Sequence, residues 1–245
     1  MLPRFFVPNA DSPGSVVQLP DDEAAHLVHV LRLRAGDAIQ VFDGRGHEWR
    51  GRVAEIGKSH ARVQLDASIA PGVEPQVSVT LAVALLKGDK MDDVVRDAVM
   101  LGVSRIVTIV SERVELPPKV VERGHRVERW RRIAVASAKQ CGRSVVPDVG
   151  APVRILDLLE ESPTAPRIML VEPNANVSGA RKLHDLPRSN DAVLFVGPEG
   201  GWASSELEAA HGNGVELATL GALTLRADAA PLVAITALRT VWGDL

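Results

Sequence analysis

Residues 194–226 read LFVGPEGGWASSELEAAHGNGVELATLGALTLR, a strand-like run that stops abruptly in glycine. Ala192 to Val196 has the length and apolar composition of a buried strand. Gly197-Pro198-Glu199-Gly200-Gly201 ends it, because proline cannot donate to a sheet ladder and glycine opens backbone angles closed to other residues. Ser205 and Glu208 have capping-box spacing before Ala209 and Ala210, which predicts a helix next. A glycine loop between a strand end and a helix start lets a ligand approach main-chain N–H and C=O groups. A second run, Val215 to Leu220, leads to Gly221 and then to Leu223, Leu225 and Arg226, so two strand-end loops stand ready to wall one pocket. The loop is neither G-x-x-x-x-G-K-[ST] nor G-x-G-x-x-G, which sets aside a P-loop and disfavours a standard dinucleotide site. A tight strand-to-helix turn without function remains the plain alternative.

Outward from this stretch, residues 76–245 alternate strands with helices. Val77 to Leu86 is a near-continuous apolar strand. Met91, Val94, Val95, Ala98 and Leu101 then fall on one helix face, and Gly102 ends that helix before a strand from Arg105 to Val110. Trp130, Ile133, Ala134, Ser137, Ala138 and Cys141 repeat the helical spacing up to Gly142, which places Cys141 on an apolar stripe in a structural role. Ile168 to Val171 is a further strand, and a last helix runs from Pro231 to Trp242. The expectation is an α/β domain with a mostly parallel sheet covered by helices, binding its ligand at the strand ends.

Residues 1–72 follow another rule. Arg4 to Val7 opens as a strand, and Asp21-Asp22-Glu23 supply N-terminal acids for a short helix through His26 and Leu27. Ala38 to Phe42, Glu48 to Ile56 and Ala61 to Leu65 are strand candidates separated by short turns, which predicts a small β-barrel. Residues 71–75, with two prolines and a glycine, form a linker to the second domain.

Gly197-Pro198-Glu199-Gly200-Gly201 followed by Leu220-Gly221 and Leu225-Arg226 resembles the paired signature of the SPOUT methyltransferases. More narrowly it is similar to the bacterial RsmE-type family, which methylates N3 of a uridine in 16S ribosomal RNA of the small subunit. The resemblance extends to Lys87-Gly88-Asp89-Lys90-Met91, Leu101-Gly102-Val103, Ser111-Glu112-Arg113, Gln140-Cys141-Gly142-Arg143 and Ile235 to Leu238, and in the first domain to His26, Val30-Leu31-Arg32, Gly36-Asp37 and Phe42-Asp43-Gly44. It implies a SPOUT domain at 76–245 with a deep trefoil knot, a PUA-like RNA-binding domain at 1–72, a homodimer, and S-adenosylmethionine as methyl donor with no metal. It assigns the donor to Glu172, Val196, Gly197, Gly200, Gly201, Leu220, Gly221 and Leu225, catalysis to Arg226 with Glu199, and RNA contacts to His26, Arg32 and Arg143. The chain departs from the family where Glu-Thr-Ala would follow one residue after Arg226, having Asp228-Ala229-Ala230, and in Lys139 where glutamate is usual.

Charge and composition narrow the partners. The net charge is −3, so a nucleic-acid site must be a local patch. Lys119 to Arg143 holds eight basic residues, Arg129 and Arg132 among them, against two glutamates, which suits phosphate contacts. Four Phe, four Trp and no Tyr disfavour a base-stacking platform. His26 and His29 lack further ligands at metal spacing. One cysteine rules out an internal disulfide, and no run is long enough for a signal or a membrane span, so the expected place is the cytoplasm. Methyl transfer to another RNA such as a transfer RNA, a non-catalytic RNA-binding ribosome-assembly factor, and a small-molecule nucleotide enzyme stand as alternatives.

Overall fold

A computed structural model describes residues 2–58, 60–114, 125–161, 164–173, 175 and 179–245. The chain forms two compact units, residues 1–74 with 135–146, and residues 75–134 with 147–245.

In the first unit β1 (Arg4–Phe6), β2 (Val16–Gln18), β3 (Ala38–Phe42), β4 (Glu48–Ile56) and β5 (Ala61–Ile69) form a curled sheet in the order β1-β3-β4-β5-β2. Only β1 and β3 run parallel. Strand β4 alternates buried Trp49, Gly51 and Val53 with exposed Arg50, Arg52 and Ala54, as a sheet covered on one face requires. Its register against β5 slips at Arg50/Gly51 and Val53/Glu55, and such bulges bend a strand. A Cβ at Gly51 would stand 2.3 Å from the Gln64 carbonyl oxygen, so the first bulge admits only glycine. The expected small β-barrel is met by this curled, half-barrel sheet. Strand β2 escapes the sequence because three residues are too few to show a period. Helix α1 (Asp21–Ala25) runs into a π-helical turn, His26–Val30, which sends Ala24 and Leu27 into a core with Phe5, Ile39, Val41 and Trp49.

The second unit holds β6 (Ser78–Ala84), α2 (Lys90–Met100), β7 (Arg105–Val110), α3 (His125–Cys141), β8 (Asp148–Val149), β9 (Val153–Arg154), α4 (Ile155–Glu160), β10 (Arg167–Leu170), β11 (Arg181–Lys182), β12 (Asp191–Val196), α5 (Ser204–Gly212), β13 (Glu216–Thr219) and α6 (Ala230–Trp242). The last residues of α3 belong to the first unit. The sheet order is β11-β13-β10-β12-β6-β7-β8, with β9 beside β7, and every pair is parallel. Leu81, Ala82, Val83, Leu194, Phe195 and Met169 are fully buried at its centre, each worth about 1.5–3 kcal/mol for the larger side chains. The helix after β12 starts two residues earlier than expected, with Ala203 at the N-cap position, and Glu206, not Glu208, is its capping acid.

Cys141 corrects the expected stripe. Trp130, Ala134 and Ala138 are buried, but Cys141 is exposed at the end of α3. The Arg4 guanidinium donates to the carbonyls of Ala138 (3.2 Å), Lys139 (3.1 Å) and Arg143 (3.0 Å) while pairing with Glu48 at 2.9 Å. It satisfies carbonyls that a helix end leaves without partners. The chain then turns at Gly142, and the thiol stays outside.

The C-terminus is tied down by a buried charge pair. Arg239 is fully buried on α6 and pairs with Asp244, and its Nη2 donates to the Gly102 carbonyl at 2.7 Å. Asp244 also accepts the N–H groups of Gln76 (2.7 Å) and Val77 (3.0 Å), at the entrance to β6. Removing one partner strands a buried charge, which costs about 3–5 kcal/mol. Asp244→Ala is expected to lower unfolding stability by about 3 kcal/mol, with Asp244→Asn intermediate; urea denaturation followed by tryptophan fluorescence measures it.

Candidate active site at the strand ends

Parallel pairing brings the C-terminal ends of β13, β10, β12, β6 and β7 to one edge of the sheet, where open α/β sheets bind ligands. A cavity of about 680 Å³ lies there, within the usual range of ligand sites. Its walls come from Leu170 to Pro173 after β10, Val196 to Trp202 after β12, and Leu220 with Leu223 to Asp228 after β13. Lys90, Arg113, Ala175, Ser204, Leu207 and Ala230 complete it.

Four hydrogen bonds and two glycines shape the glycine loop. Trp202 donates its indole N–H to the Leu170 carbonyl at 2.8 Å, which holds the loop after β12 against the end of β10. A Cβ at Gly197 would come within 3.1–3.3 Å of that indole, so a side chain there would press on the tryptophan and the glycine lets the two pack closely. Gly201 has φ +67°, a left-handed conformation that L side chains rarely adopt, and it faces the Glu172 carboxylate. Buried Glu206 accepts the Ala203 N–H (2.8 Å), the Glu112 N–H (2.8 Å) and the Ser111 hydroxyl (3.2 Å), joining the start of α5 to the loop after β7.

Two ion pairs line the cavity. Lys90 Nζ meets Glu199 at 2.8 Å. Arg226 donates from Nε (3.1 Å) and Nη2 (3.0 Å) to the two carboxylate oxygens of Asp228. Burial works to raise the Glu199 carboxyl, and hydrogen bonds from Lys90 and from main-chain N–H groups outweigh it, leaving it below its ordinary 4.5. Burial likewise opposes ionisation of Asp228, and its own N–H and Arg226 reverse the balance, holding it below 3.8. Both are carboxylates near neutrality, so neither stores a proton to give.

Of the expected donor residues, Glu172, Val196, Gly197, Gly200, Gly201, Leu220 and Leu225 all line the cavity, with Glu199 and Arg226 beside them. Gly221 is exposed and lies off the lining. Lys90, Arg113 and Trp202 were not expected there; Lys90 and Arg113 stand in matched motifs and Trp202 follows one, but only strand order brings them to one edge. The RNA candidates separate. His26 is half-buried against Phe5, and Arg32 is exposed with φ +54°, rare outside glycine, and makes no ion pair with Asp21 or Asp22. Arg129 pairs with Asp92 and, at 3.6 Å, Asp89; Arg132 is exposed, with its Nε on the Glu128 carbonyl at 3.4 Å. Arg143 is buried and paired with Glu74 at 2.7 Å, so its guanidinium is engaged inside the first unit. Lys119 and Arg123 of the basic stretch lie outside the described residues. Lys139 meets Glu23 at 2.7 Å; burial raises the Glu23 carboxyl and Lys139 draws it back down.

Among the described residues no group of His, Cys, Asp or Glu could hold a metal ion, and no helix is long and apolar enough to cross a membrane.

Comparison with known proteins gives the family. Residues 73–239 match the RNA methyltransferase domain model, and residues 19–66 the RNA methyltransferase PUA domain model. A ribosomal RNA small subunit methyltransferase E of Synechocystis is 32% identical over 96% of this chain and 76% of its own length. One from Rickettsia conorii is 27% identical over 96% and 94%. The crystal structure of such an enzyme from Neisseria gonorrhoeae, bound to S-adenosyl methionine, superposes with a TM-score of 0.90 at 33% identity, covering 99% and 98% of the two chains.

Two outcomes test the geometry. Glu206→Ala orphans three donors and is expected to cost about 3 kcal/mol of stability, against about 1 kcal/mol for Glu206→Gln, both by chemical denaturation. Because the folded values of Glu199 and Asp228 are depressed, their contribution is full above the ordinary carboxylate range and is lost only as pH falls through the lower folded values. Carboxyl-carbon NMR titration should find both midpoints below 4.5 and 3.8 respectively.

Proposed function

We infer the reaction from the family to which the chain belongs, the RNA methyltransferases. It is an S-adenosylmethionine-dependent methyltransferase of ribosomal RNA. The finer reading is methylation of N3 of one uridine in 16S RNA of the small subunit, by a homodimer in the cytoplasm, with residues 1–72 as RNA-binding module and 76–245 as a trefoil-knotted catalytic domain. The observation that carries the reaction is the cavity itself: glycine main chain, apolar walls and carboxylates meet at the strand ends beside a guanidinium.

The residues fit the donor. Leu170, Val171, Leu220 and Leu225 offer apolar surface for a purine, and main-chain groups of Val196, Gly197, Gly200 and Gly201 offer hydrogen bonds to its polar edges. Glu172 is a carboxylate for its hydroxyl or ammonium groups. When bound, S-adenosylmethionine supplies a methyl group carried on a cationic sulfur. Uracil N3–H is weakly acidic, so the protein must favour the anion that attacks. Arg226, oriented by the bidentate grip of Asp228, places positive charge beside the cavity to stabilise that anion. The shorter Asp228 therefore still anchors the arginine. Glu199 is a weak base because it is held ionised; its role is to position Lys90, and the N3 proton leaves to water. Arg32 and Arg132 are exposed cations suited to RNA phosphates, His26 is half-buried against Phe5, and Arg143 and Arg129 are engaged with acids of the protein.

The test is transfer of labelled methyl from S-adenosylmethionine to unmodified small ribosomal subunits, with nucleoside mass spectrometry. The expected product is 3-methyluridine. Arg226→Ala should lower the transfer rate by roughly a hundredfold or more while donor affinity changes only a few-fold. Methylation at another nucleoside, or of transfer RNA alone, would sink the finer reading. A chain that does not bind the donor would be an assembly factor.

A further inference from the structure

The cavity contains three cations, and they are not equivalent. Lys90 is held by Glu199 and Arg226 by Asp228. Arg113 also lines the cavity, yet it meets no carboxylate within ion-pair distance among the described residues. Its Nη1 donates instead to the neutral carbonyl of Gly200 at 3.0 Å. Its stem lies against the same residue, since a Cβ at Gly200 would stand 3.2 Å from Arg113 Cβ. The backbone that carries it is fixed: the preceding residues, Ser111 and Glu112, both donate to buried Glu206, and Ser205 donates to the Glu112 carboxylate at 3.2 Å. An exposed guanidinium is thus fixed at the rim of the cavity, with Nη1 on a protein carbonyl and, among the described residues, no carboxylate in ion-pair distance.

We propose that Arg113 is an RNA-binding residue that clamps a phosphodiester oxygen of the substrate strand at the rim of the cavity. This rests on the RNA methyltransferase reading above and deepens it. A guanidinium offers paired donors that match two phosphate oxygens, and preorganising it lowers the ordering cost of the contact. The methyl donor is the weaker occupant. It carries a net positive charge, which suits the Glu172 carboxylate and not a further cation, whereas a polyanion arriving from solvent meets the exposed arginine first. A phosphate held there fixes the strand beside the glycine loop, the loop that builds the donor side of the cavity, so one side chain sets the distance between the two reactants. It also accounts for glycine at 200, which leaves room for the arginine stem.

Arg113→Gln keeps a neutral donor for the Gly200 carbonyl and removes the charge, and Arg113→Lys keeps the charge. Binding to unmodified small ribosomal subunits is measured across a salt series, and S-adenosylmethionine affinity by calorimetry. For Arg113→Gln, RNA affinity should fall roughly tenfold and the slope of log K against log salt by about one, with donor affinity within about twofold of wild type. Arg113→Lys should recover most of the salt slope. The proposal is overturned if Arg113→Gln keeps wild-type RNA affinity and slope, or if it loses donor affinity while RNA binding stands, which would assign the guanidinium to the donor's carboxylate or to the loop. A wild-type protein that binds the subunits but methylates nothing would remove the proposed reaction and leave the clamp to be judged by its salt slope alone.

Discussion

The Glu206 carboxylate is buried with three donors on it, from Ala203, Glu112 and Ser111. A carboxylate out of water is tolerated only when its oxygens are satisfied, so this group dictates where its donors stand. Two of the donors lie after β7 and one opens α5, so the exits of two strands that are not neighbours in the sheet are locked together. The glycine loop lies between β12 and that helix start. With Trp202 holding its other side to β10, the loop has little freedom left. The cavity, the approach of main chain to a ligand, and the fixed stance of Arg113 all depend on this one acid.

The charges of the cavity work through pairing. Lys90 with Glu199 and Arg226 with Asp228 place cations where they are needed without leaving an excess of charge at rest. Depressed carboxyl values keep both pairs charged far below neutrality, so the site has fixed dipoles and no proton store. That is the arrangement expected of chemistry driven by orientation and electrostatics. Asp228 grips Arg226 through both oxygens although its side chain is one methylene shorter than the family's usual glutamate, because only Ala227 separates them and the two side chains meet locally.

The first unit has its own organising charge. Arg4 joins Glu48 to three carbonyls around the end of α3 and lies over the Phe42 ring at 4.6 Å. Ser144 donates to the same Glu48 at 2.7 Å, and Lys139 reaches Glu23. Residues 135–146 are thereby held to the sheet of residues 1–74, far from them in sequence. Lys139, where the family has glutamate, is explained by this partner: a second acid beside Glu23 would leave two carboxylates facing each other with no cation.

Periodicity and glycine placement were enough to read most of the strands and long helices, since a strand buried on both faces must be apolar throughout and a helix must show its stripe. The matched motifs likewise pointed to Glu199, Arg226, Gly197, Gly200 and Gly201, which line the cavity, while Gly221 lies off it. Three kinds of feature were out of reach. Strand β2, strands β8, β9 and β11, and helix α4 are too short to display a period. Cys141 and Arg143 share helix spacing or local charge with their neighbours, and only the tertiary surroundings put the thiol outside and the guanidinium inside. Lys90, Arg113 and Trp202 became site residues because strand order sets the exits of β6, β7 and β12 side by side. Sequence alone determined the elements and the chemical types they carry, for these depend on local pattern. Which types meet, and which cation has no acid beside it among the described residues, depends on contacts between residues far apart in the chain, and those only folding decides.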